Sequence, residues 1–134
     1  MLIPAIIFAI VVSSATQAGP FTFTKIVDTN AAVPGGTGTF ASFGAPALDR
    51  DELAITGFDS NFDLGRYRFS SGVLDLIQDK NTTVPDDGGT FSNGILETNI
   101  DNGKAAFKGD STTGNEGIYI HDGLSLQTVV EKKR

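Results

Sequence analysis

Apolar residues alternate with small or polar ones over short stretches of this chain. Leu53 and Ile55 are spaced by Ala54 and Thr56, and Ala105 and Phe107 by Ala106 and Lys108. A period of two is the pattern of a strand with one buried face. Tyr67 with Phe69, and Ile118 with Ile120, mark further strands, and residues 73–78 and 124–130 mark two more. Ser71-Gly72 and Asp122-Gly123 supply turns between them. Asp101-Asn102-Gly103 predicts a hairpin, because Asn-Gly accepts the positive φ angles of a tight primed turn; it joins a strand near 95–100 to one at 104–109. Beyond residue 18 no stretch keeps a helical period for the roughly ten residues a helix needs.

The pattern itself returns. Asp28, Asn30, Val33, Pro34, Gly38, Thr39 and Phe40 come back as Asp79, Asn81, Val84, Pro85, Gly89, Thr90 and Phe91 at a constant shift of 51. Farther on, residues 49–57 match 101–109 at a shift of 52, Gly65-Arg66-Tyr67 matches Gly117-Ile118-Tyr119, and Gly72 matches Gly123. The fourth strand occurs three times, at 23–28, 74–79 and 126–131. Repetition at this period marks a unit that buries its apolar face only against a neighbour. The expected fold is all-β: two four-stranded propeller-type blades plus an N-terminal strand at 23–28, with a β-sandwich as the alternative. Within one domain at 19–134 the units run about 23–73 and 74–125, and a third begins at 126–134. Rings of this kind usually take about four to eight blades, so two sets leave the ring open.

Phe40 and Phe91 hold their place in the two long loops, so they are expected to pin those loops to the neighbouring sheet. Asp28 with Asn30, and Asp79 with Asn81, suit side-chain to backbone hydrogen bonds that start a turn. Loops carried on a rigid scaffold are also where recognition concentrates, which makes these four residues the binding candidates.

Residues 1–18 change the compartment. Residues 2–12 are an apolar run too short to span a bilayer, and Ser13-Ser14-Ala15-Thr16-Gln17-Ala18 offers small residues for cleavage after Ala18. The chain is therefore expected to be secreted or extracellular, bacterial, and without a stable membrane span once that segment is removed. The competing reading is a buried apolar strand or helix. A net charge of −6 repels phosphate backbones, which argues against a nucleic-acid partner. There is no cysteine, hence no disulfide framework and no thiolate chemistry.

On Val27-Asp28-Thr29-Asn30, on 40–49, on Asp101-Asn102-Gly103 with 104–109, and on Gly117-Ile118-Tyr119, the chain resembles uncharacterised bacterial, cyanobacterial-type exported proteins. Those are built from tandem copies of a unit running approximately DTNTPIPGGTGNF, GGNVAFRG, GIY. The resemblance implies a secreted, propeller-like repeat protein, often tethered to the cell surface. It implies no activity. This chain departs from the pattern in its few units and in having no C-terminal apolar anchor.

Catalytic material is sparse. His121 stands beside a turn, matches Phe69 of the first unit, and has no Gly-x-Ser-x-Gly elbow to pair with. Asp49 with Asp51, and Asp86 with Asp87, fall in turns and read as solvated acids. Asp59, Asn61 and Asp63, ahead of Gly65, present oxygen ligands at alternate positions, which suits weak calcium binding outside a cell. The glycine is one place late for an EF-hand loop, and the matching stretch 111–115 lacks carboxylates. No enzyme activity and no cofactor other than that weak calcium are expected. The residues favour a binding or surface-structural role, with other copies of the chain or a cell-surface component as partner. They leave open a fragment of a larger propeller-type hydrolase, and a degenerate repeat with no role of its own.

Overall fold

The structure, a computed structural model, describes residues 19–92, 94 and 97–133. The expected leader at 1–18 and the first positions of the strand expected near 95 lie outside them. The described chain is all-β, with no helix, and forms two antiparallel sheets.

In the first sheet, β1 (Phe40–Phe43) and β2 (Ala47–Asp49) both pair with β3 (Glu52–Asp59), followed by β4 (Leu64–Ser70) and β5 (Val73–Gln78). In the second, β6 (Phe91–Ser92) and β7 (Thr98–Asp101) pair with β8 (Lys104–Ser111), then come β9 (Glu116–His121) and β10 (Leu126–Lys132). Each sheet thus has four strand positions, the first of them broken in two. The expected turns are present: Ser71 and Gly72 have φ of 52° and 84°, and Asn102 and Gly103 have 51° and 79°.

Register agrees between the sheets. Leu53 pairs with Phe69 as Ala105 pairs with His121, and Phe69 pairs with Leu74 as His121 pairs with Leu126. This keeps the 52-residue offset through the turn, so Gly72 and Gly123 are not register counterparts. Each fourth strand carries one extra residue at the same place. Ile77 bulges between Leu76, opposite Tyr67, and Gln78, opposite Arg66; Val129 bulges between Thr128, opposite Tyr119, and Val130, opposite Ile118.

The long loops are folded back on themselves. Val33 N donates to Gly38 O at 3.1 Å and Phe40 N to Ala31 O at 3.2 Å; Val84 N and Phe91 N repeat this to Gly89 O and Thr82 O at 2.9 and 3.1 Å. Phe40 and Phe91 are buried, but each packs on the sheet it opens. Phe40 stands edge-on to Tyr67 at 5.0 Å and 84°, and Phe91 edge-on to Tyr119 at 4.9 Å and 82°. The expectation that they pin their loops to the neighbouring sheet is corrected for Phe40, whose core is of the first sheet alone, while Phe91 also lies in the core that both sheets share.

The sheets pack face to face. Ala54 and Ile77 of the first join Val84, Phe91, Ile100, Ala105, Phe107 and Tyr119 in one core. Arg66 lies in the seam with its guanidinium carbon 4.5 Å from the Phe107 ring centroid, and Nη2 donates to Lys108 O at 3.1 Å. A second core, around Val33, Phe40, Ile55 and Tyr67, occupies the other face of the first sheet, where Val27 and Ala31 give partial cover. This is the sandwich alternative, and the described residues form no closed ring.

The expected strand at 23–28 is absent, a correction with a topological reason. Its counterparts, within β5 and β10, pair with β4 and β9, whereas the described residues ahead of 23–28 include no third strand. They run without strand pairing, and Phe21 and Phe23 are exposed.

Candidate functional site

One cleft gathers most of the residues singled out by sequence. The β3–β4 hairpin closes through Asp59, whose Oδ1 accepts from Asn61 N at 2.7 Å and Asp63 N at 2.9 Å. Just past β5, Asp79 Oδ1 accepts from Asn81 N at 3.0 Å and from Thr82 Oγ1 at 2.8 Å, the turn-starting bonds its residue type predicts. With Gly35, Gly36 and Thr37 of the first long loop, these two turns line a cleft of about 250 Å³ floored by Leu64 and Tyr67. The calcium candidates Asp59, Asn61 and Asp63 and the binding candidates Asp79 and Asn81 therefore share one cavity. Asp28 and Asn30 do not line it. They make the same turn elsewhere, with Asn30 N 3.0 Å from Asp28 Oδ1 and Lys25 Nζ 2.8 Å from Asp28 Oδ2. Lys25 holds the Asp28 carboxyl below the usual carboxylate range.

Three carboxylates at one cleft attract positive charge, and the chain supplies some itself. Lys80 Nζ bonds Asp63 Oδ2, and that bond and charge, with Asp59 and Asp79 nearby, raise the lysine above its ordinary pKa. Asp59 directs one oxygen to backbone amides and Asp63 one to Lys80. Among the described residues no group of three or more His, Cys, Asp or Glu is placed to hold a metal ion. The cleft offers acceptors at its rim and a tyrosine at its floor. Burial pushes Tyr67 up to about 12, helped by Asp79 and Asp59. It therefore stays a neutral phenol.

The corresponding place in the second sheet is filled. Asp87, 51 residues after Gly36, accepts from Thr113 Oγ1 at 2.7 Å and Asn115 Nδ2 at 2.6 Å, and from Ser111 Oγ. Those donors, the Ser111 hydroxyl first, keep Asp87 below the usual carboxylate range. The roles are exchanged between the sheets. In one the hairpin carries the acids and the long loop glycines; in the other the long loop carries the acid and the hairpin the donors. Sequence reading took Asp86 and Asp87 as solvated turn acids and missed this hub. The signal was available, in the exchange of Asp59-x-Asn61-x-Asp63 for Ser111-x-Thr113-x-Asn115 alongside that of Gly36 for Asp87.

A second cavity of about 490 Å³ opens at the other end of the strands, between the Asp49–Glu52 turn, Ser70-Ser71 and Asn102-Gly103. Arg68 pairs with Glu52 there at 2.5 Å, and Ser70 Oγ donates to the same carboxylate at 3.0 Å. Two turns meet across the seam: Asn102 N donates to Asp49 Oδ2 at 2.6 Å, and Arg50 Nη1 to Asn102 Oδ1 at 3.1 Å.

His121 is half-buried at the end of β9, and its Nδ1 accepts from Gly123 N at 3.2 Å. Burial lowers its pKa, partly offset by Asp122. Burial and the hydrogen bond accepted at Nδ1 favour the neutral imidazole. No helix among the described residues is long and apolar enough to cross a membrane. Comparison of the chain with family models, with curated proteins and with solved structures gives no match.

Proposed function

We propose that this chain is an exported bacterial β-repeat protein that binds, without catalysis, a cell-surface component through the acidic cleft at one end of its first sheet. The supporting observation is the convergence of Asp59, Asn61, Asp63, Asp79 and Asn81 on one cavity, held by two hairpin-like turns on a packed scaffold. An acceptor-rich rim suits a partner that presents hydroxyl or ammonium donors, as a glycan or amino-sugar polymer does. Its counterpart in the second sheet is closed by Asp87, so one chain offers one such site.

The test is co-sedimentation of the full chain with purified bacterial cell wall. The reading predicts binding that falls at least about tenfold, or roughly 1.4 kcal/mol, when Asp59, Asp63 and Asp79 are all changed to Asn. No co-sedimentation, or binding indifferent to those changes, contradicts it.

Weak calcium binding at Asp59, Asn61 and Asp63 is the second reading, and Lys80 is its competitor for Asp63. It requires Lys80→Ala to gain a rise in thermal midpoint with millimolar-scale calcium that exceeds the rise in the parent chain. An equal response in both, or none, removes it.

A further inference from the structure

The joint between the two sheets is heterologous: the back of the first, with Arg66, Ile77 and Gln78, meets the front of the second, with Ile100, Phe107 and Tyr119. Stacking in that sense leaves two unlike faces without a partner sheet: the back of the second, and the front of the first, where Val33, Phe40, Ile55 and Tyr67 are already buried and Leu48 is exposed. Their residues are register counterparts of those already joined. Arg66, Ile77 and Gln78 are 1%, 4% and 1% exposed, whereas Ile118, Val129 and Val130 at the same positions of the second sheet are 38%, 60% and 58% exposed. On the opposite face Ile100 is 9% exposed and its counterpart Leu48 71%. The bulge that drives Ile77 into the core is repeated at Val129, where the first sheet's neighbour would be.

We infer that a second copy of this chain docks head to tail, the back of one second sheet on the front of the next copy's first sheet. The internal joint supplies the template and the occupant. It also sets the polar contact at the rim. Where Asp49 accepts from Asn102 within the chain, the same placement sets Asp101 of one copy against Arg50 of the next, an acid facing a base. Both residues are exposed. On the receiving face Val27 and Ala31 pack against the buried Val33, Phe40, Ile55 and Tyr67, and Leu48, 71% exposed, is the part left accessible to a partner. Heterologous contacts close into rings when the rotation allows and otherwise extend into filaments.

Sedimentation equilibrium of the full chain, recovered from an exporting host, tests this. The parent chain should exceed single-chain mass with rising concentration. Ile118→Glu blocks the back and Leu48→Glu the front, so each alone should stay a single chain, while an equimolar mixture should form a two-chain complex and go no further. Both positions are exposed, and circular dichroism confirms that each variant is folded. As a second measure, Asp101→Lys should weaken association at least about tenfold, and mixing it with Arg50→Glu, which also gives up the internal bond to Asn102, should restore it. A parent chain of single-chain mass throughout the micromolar range, or variants that do not complement each other, overturns the inference. The cell-wall experiment reads the cleft, so failure there leaves this joint untouched.

Discussion

Arg66 lies over the ring of Phe107, 4.5 Å from its centroid, and so ties one sheet to the other by a buried cation on an aromatic face. The same guanidinium bonds Gln78 Oε1 and the Lys108 carbonyl. Removing it leaves those acceptors buried, and Arg66→Ala should cost about 2–4 kcal/mol in urea denaturation. Burial pushes Arg66 down to about 10, so part of what the contacts contribute is offset by desolvation. Arg66→Met, which keeps bulk without charge, should therefore lose less than the alanine. Equal losses would mean that side-chain bulk contributes nothing and that the charge and its hydrogen bonds alone hold the seam.

Gly57 and Gly109 are the floor beneath the loop phenylalanines. A Cβ on Gly57 would stand 2.6 Å from Phe40 Cε1, and one on Gly109 2.7 Å from Phe91 Cε1. Neither glycine has positive φ, so space and not backbone conformation selects them. Gly57→Ala or Gly109→Ala should each cost about 1–3 kcal/mol by overpacking. Gly72, which has nothing within 4 Å of a Cβ, has a φ of 84° and tests the other mechanism: Gly72→Asn should be tolerated better than Gly72→Val.

His121 gives the chain an acid-sensitive corner. Its folded pKa is lowered, so the proton binds the unfolded state more tightly, and stability falls as pH drops below the ordinary 6.5 through the folded value. Protonation also removes the Nδ1 acceptor used by Gly123 N. His121→Phe, the residue at the counterpart position, should flatten the stability profile below about pH 6.5 in chemical denaturation. An unchanged slope there would rule out this source. Asp87 contributes separately. Its lowered pKa gives stability that is present above the ordinary 3.8 and lost only as pH falls through the folded value.

Tyr67 and Tyr119 are the two tyrosines of the chain, and burial raises both, Tyr67 to about 12. The unfolded chain ionises first, so stability should fall as pH rises from 10 toward those values. Ultraviolet titration should show little tyrosinate at pH 10 in buffer and about half in urea. Substantial ionisation of the folded chain at pH 10 would place at least one phenol in solvent.

The strands β3 to β5 and β7 to β10 were readable because each pairs with a sequence neighbour through a short turn. Alternation at Leu53 and Ile55 and the Asn102-Gly103 turn fix both partner and register. Residues 23–28 misled because strand character depends on a partner, and their pattern is that of a fourth strand whose third is not part of these sheets. The break between β1 and β2 left no periodic signal, since three residues of irregular backbone at 44–46 interrupt one strand position. Within the cleft, sequence identified Asp59, Asn61, Asp63, Asp79 and Asn81 but assigned them to separate sites. Their meeting depends on β5 returning beside the β3–β4 hairpin, which is a property of the sheet and not of either segment. The Asp87 hub was missed for a similar reason, because its donors lie 24 to 28 residues away.

The stacked arrangement itself places Thr56 Oγ1 3.4 Å from Thr98 Oγ1, buried between the sheets and 42 residues apart. The chain has no cysteine, so Thr56→Cys with Thr98→Cys gives a reporter with no background. Thiol titration of the oxidised double variant under denaturing conditions should find no free thiol in a protein of single-chain mass. Two free thiols, or a bridge formed only between chains, would contradict the face-to-face packing of the two sheets.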